Sequence, residues 1–116
     1  MLATKTKNAL TATQAIDIVQ GFIYDELGNM ISVGQPYHVV SGLQSAWSVP
    51  LFLTSPGYGP VGIVGGVIVD MEFGHIIGWT PLEEVRSNAE ALTAEKEDEL
   101  EAAFQIYRAQ AVSSIN

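Results

Sequence analysis

Residues 47–79 constrain the fold most. Trp47, Val49, Leu51 and Leu53 alternate with Ser48, Pro50, Phe52 and Thr54, the period of two that marks a half-buried strand. The run Ser55-Pro56-Gly57-Tyr58-Gly59-Pro60 is dense in turn formers. A second strand is expected over residues 61–70, with Val61, Ile63, Val67 and Val69 on one face and Val64 and Ile68 beside Gly62 and Gly66 on the other. Both faces are apolar or small, which predicts a central strand. Met71-Glu72-Phe73-Gly74 reads as a turn with Gly74 at positive φ, and residues 75–79 return as a third strand, so the run predicts an antiparallel meander. Two short strand-like runs precede it, residues 30–33 and 37–40, split by Gly34-Gln35-Pro36. The expected sheet has three to four strands, with Pro36 at a strand start or edge.

Helices flank this run. Residues 13–27 place Ala15, Ile16, Val19, Ile23 and Leu27 at spacings of three and four, one apolar stripe of a helix. Thr11 and Thr13 are candidate N-caps, Thr11 with Gln14 at capping-box spacing, and Gly28 suits the residue after the helix. Gly21 lies inside it and marks close packing against the sheet, at a cost of about 1 kcal/mol relative to Ala. Thr80-Pro81-Leu82-Glu83 predicts a second helix start, with Thr80 as N-cap and Glu83 completing a capping box. Thr93 reads as the cap of a further helix whose stripe is Leu100, Ala103, Phe104, Tyr107 and Ala111. The order helix, sheet, helix, helix predicts a segregated α+β fold. Residues 1–116 read as one domain, with 1–10 flexible and 112–116 frayed.

Charge is concentrated. The 116 residues hold 13 acids and 5 Lys or Arg, a net charge of -8. Residues 83–101 alone carry eight acids against Arg86 and Lys96, six of those net charges. A chain this acidic repels nucleic acid and anionic lipid. With no Cys there are no disulfides, thiolate metal sites or thiol nucleophiles. The longest stretch of apolar residues and Gly, 61–69, is far short of the ~20 residues of a membrane-spanning helix. No signal-like apolar region follows Lys5 and Lys7, which predicts a cytoplasmic protein.

No catalytic constellation emerges. Gly57-Tyr58-Gly59-Pro60-Val61-Gly62 matches a dinucleotide fingerprint in letters only: a strand, not a helix, follows, and Pro60 removes an N–H. His38 and His75 lack metal-ligand spacing with Asp70 or Glu72, and no nucleophile elbow supports a Ser55, His75, Asp70 triad. Glu83 with Glu84, and Asp25 with Glu26, are adjacent on helices and point about 100° apart, so they do not converge on a substrate. Neither metal nor cofactor is expected. Tyr58, between two glycines at a loop tip, is a candidate aromatic anchor for a partner, with folding back onto its own sheet as the alternative. Glu95, Glu97, Asp98, Glu99 and Glu101 offer a face for a basic one.

Trp47-Ser48-Val49 and Val69-Asp70-Met71-Glu72-Phe73-Gly74-His75-Ile76 resemble the W-x-V strand and V-D-x-x-x-G-x-I hairpin of PepSY-like domains. With Thr80-Pro81-Leu82-Glu83-Glu84 the order is also similar to a group of small bacterial toxin-immunity proteins. The resemblance covers residues 12–92. It implies a helix on a curved antiparallel sheet, cystatin-like in outline, with Asp70 and Gly74 as turn residues and a binding or inhibitory role. The leading expectation is a non-enzymatic protein-binding domain. A homodimer covering Leu100, Phe104 and Tyr107, and a small ligand-binding or enzymatic cup, are the alternatives.

Overall fold

The computed structural model describes residues 9–27 and 30–115. Residues 1–8, and Gly28 as the expected helix terminator, lie outside them. Helix α1 spans Ala12–Leu27. Its start is the capping box expected from the sequence: the Thr11 N–H donates to Gln14 Oε1 at 2.9 Å and the Gln14 N–H to Thr11 Oγ1 at 3.1 Å. These bonds satisfy amides that have no partner within the helix.

Five strands follow: β1 (Ile31–Val33), β2 (Tyr37–Ser41), β3 (Gln44–Ser55), β4 (Gly59–Asp70) and β5 (Ile76–Trp79). All pairings are antiparallel. β3 and β4 are central, β5 lies beyond β4, and β1 and β2 share the other edge of β3. That sharing explains the extra strand. β3 is 12 residues long, so β1 pairs along Leu51–Leu53 and β2 along Gln44–Ser48, with Gly34-Gln35-Pro36 between them. Helices α2 (Leu82–Glu95) and α3 (Glu97–Ile115) complete the α+β chain.

The core lies between α1, α2 and one face of the sheet. Ala15, Val19 and Ile23 of α1 pack with Val49, Leu51 and Leu53 of β3, Val64, Val67 and Val69 of β4, and Val85 of α2. Each valine or larger side chain so buried contributes about 1.5–3 kcal/mol. Leu10 closes one end. Its N–H donates to Met71 O at 2.7 Å and its carbonyl accepts from Trp47 Nε1 at 2.8 Å.

Several local expectations are corrected. Ile63 is 64% exposed while Val64 is buried. The register steps two residues on β4 for one on β3 between Leu51/Phe52 and again between Leu53/Thr54. These bulges leave Val64 and Val61 without paired partners and break the simple alternation. A side chain at Gly21 would meet nothing within 4 Å, so that glycine faces solvent, not the sheet. Thr80 does not cap α2: no side-chain bond closes that helix start, and Thr80 Oγ1 accepts the Gly66 N–H at 3.0 Å instead. Thr93 lies inside α2, where its hydroxyl donates to Ala89 O at 2.8 Å. The break falls at Lys96, whose φ and ψ are -110° and 23°.

Candidate functional site

Two surfaces singled out from the sequence meet along α3. The first is the β3–β4 turn, closed by the Tyr58 N–H donating to Ser55 O at 3.1 Å. Gly57 and Gly59 have φ of 80° and 89°, a region that glycine enters without strain. Gly57 also sits against α3, where a Cβ would collide with the Ala103 carbonyl and Tyr107 Cβ. Tyr58 is half-buried, less free than a loop-tip anchor.

The second surface is the α2–α3 junction. α2 is held down by small residues of β4: Leu92 lies over Gly62, and Val85 and Thr80 over Gly65. Asn88 Nδ2 donates to Val64 O at 2.8 Å, and Arg86 Nη2 donates to Glu26 O at 2.7 Å, beside the Glu26 carboxylate at 3.9 Å. α2 thus ends at a fixed place, and the chain turns at Lys96 into α3. Ala94, Glu95, Lys96, Glu97, Asp98 and Glu99 line a shallow depression of about 310 Å³ there. Glu95, Glu97, Asp98, Glu99 and Glu101 are all exposed, while Lys96 is half-buried. Glu97, Asp98 and Glu99 occupy the first turn of α3, where the helix dipole favours acids. Their placement has a local structural reason and still leaves a concentrated negative surface. Glu101 accepts from Gln105 Nε2 at 2.9 Å.

The remaining motifs have structural roles. Asp70, 7% exposed, accepts the Phe73 N–H at 2.7 Å and lies 3.4 Å from Gln44 Nε2. The Phe73 N–H holds the Asp70 carboxyl below its ordinary value; burial opposes this, and Gln44 and the Glu72 backbone assist it. The Gly74 N–H donates to Asp70 O at 2.9 Å with Gly74 at φ 78°. His38 lies beside Trp47 at a ring separation of 6.0 Å, and His75 beside Phe73 at 5.9 Å. Trp79 meets Phe22 edge-on at 5.7 Å. Among the described residues no three His, Asp or Glu gather as a metal site, and no helix is long and apolar enough to cross a membrane.

Comparison with protein-family models, curated proteins and solved structures finds no match.

Proposed function

We propose that this chain is a small protein-binding domain that docks a basic protein partner at the α2–α3 junction. One observation carries the reading: Glu95, Glu97, Asp98 and Glu99 are exposed together around a shallow depression on a junction anchored to the sheet. A surface of one sign raises the encounter rate with an opposite one, and its reach is set by the Debye length, about 8–10 Å near physiological salt. The β3–β4 turn packs against α3 at Ala103 and Tyr107. An inhibitory, immunity-like role is the form of this reading that the sequence resemblance adds.

Affinity capture from the source cell, followed by quantitative mass spectrometry, tests it. The native chain is compared with a variant carrying Glu95→Gln, Glu97→Gln, Asp98→Asn and Glu99→Gln, with Glu101 left in place. Basic proteins retained by the native chain and lost by the variant are expected. Equal retention by both would exclude the acidic junction as the docking surface.

A further inference from the structure

Beyond its acidic first turn, α3 carries a second feature that the junction does not use. Leu100, Phe104, Tyr107 and Ala111 repeat at spacings of four, three and four, the pattern of a two-helix coiled-coil seam. The chain itself covers this seam unevenly. Leu100 is buried, whereas Phe104 and Tyr107 are 39% and 49% exposed. The Gly57 turn approaches the helix at Ala103 and Tyr107, and Phe104 stays exposed. Glu101 and Arg108 are seven residues apart, so they lie on one flank of the seam next to Phe104. Arg108 is the only charged residue after Glu101, and both are exposed.

We infer that α3 pairs antiparallel with α3 of a second copy of this chain, with Phe104 and Tyr107 at the seam and Glu101 of each copy facing Arg108 of the other. Charge pattern selects both occupant and direction. Residues on the same flank face each other in an antiparallel pair, so one contact forms twice about a two-fold axis passing near Phe104 and Gln105. A parallel pair would set residues 97–101 of one copy, four of them acids, against the same acids of the other. The antiparallel pair instead sets Glu101 against Arg108 and leaves Glu97, Asp98 and Glu99 beside positions 112, 111 and 110, which are uncharged. This pairing uses the later half of α3 and stands whether or not a basic protein docks at the junction.

Sedimentation equilibrium and light scattering on the full chain, at micromolar concentrations and above, test the inference. A dimer is expected. Arg108→Glu and Glu101→Arg each turn two attractive contacts into repulsive ones and weaken it about tenfold. The double variant Glu101→Arg/Arg108→Glu recovers native affinity, and Phe104→Asp gives a monomer. Circular dichroism confirms that each variant is folded. A monomer across the whole range, a dimer indifferent to Arg108→Glu, or a double variant as weak as the single ones would overturn the pairing.

Discussion

Asp70 holds the β4–β5 turn through its carboxylate, which accepts the Phe73 N–H at 2.7 Å. Its folded pKa lies below the ordinary 3.8, so the ionised form is favoured by folding. That stability is present above pH 3.8 and is lost as pH falls through the lower folded value. Asp70→Asn is therefore expected to unfold more easily at neutral pH, with its deficit shrinking in acid. Urea melts across the acid range would show it, and a constant gap would refute it. Two glycines give opposite expectations. Gly21 sits on the open side of α1, so Gly21→Ala raises stability by about 0.5–1 kcal/mol. Gly57 combines positive φ with contact against Ala103, so Gly57→Ala lowers it by about 1–3 kcal/mol. Thermal melts of the two variants should move apart in sign. The Thr11–Gln14 box was legible because both partners lie within one turn. The exposure of Gly21 was legible too, because it lies two residues, about 200°, from both Val19 and Ile23 and so opposite the apolar stripe.

At the level of elements, α2 closes what β5 leaves open. β5 pairs only with Val67, Ile68 and Val69, and beyond that point Thr80 and Asn88 bond to the Gly66 N–H and the Val64 carbonyl. A helix laid along an otherwise open strand removes a template for edge-to-edge pairing. Thr80→Val keeps the shape and strands the Gly66 N–H, which costs about 1–3 kcal/mol. Denaturant melts should show this loss; a variant as stable as the native chain would mean that Thr80 acts only as spacing. The same contact goes with the missing Thr80 cap: the hydroxyl lies against Gly65 and Gly66 of β4, and no side-chain bond closes the helix start. The meander was readable from its alternation and turn residues. The bulges at Val61 and Val64 were not, because each is settled by packing across β3 and not by local composition.

Across the whole molecule, core and acidic surface are separate. Among the described residues none of α3 belongs to the central core cluster, Leu100 is buried, and residues 104–111 are all exposed. A chain ending at residue 102 is expected to keep cooperative unfolding and to lose less than about 1 kcal/mol, read by circular dichroism. Loss of folding would mean that α3 completes the core. The sequence showed where the charge lies and which stripe α3 carries. It did not show that the β3–β4 turn packs on that helix, because the approach of Gly57 to Ala103 joins segments far apart in the chain. Docking of a basic protein at the acidic junction is read out by the salt dependence of affinity for the captured protein. As salt rises from 0.1 M to 1 M, the Debye length falls from about 10 Å to about 3 Å. The native chain is predicted to weaken on the order of tenfold over that range, and the Glu95, Glu97, Asp98 and Glu99 variant to bind weakly and almost independently of salt. An affinity that stays constant with salt in the native chain would exclude docking through the acidic junction.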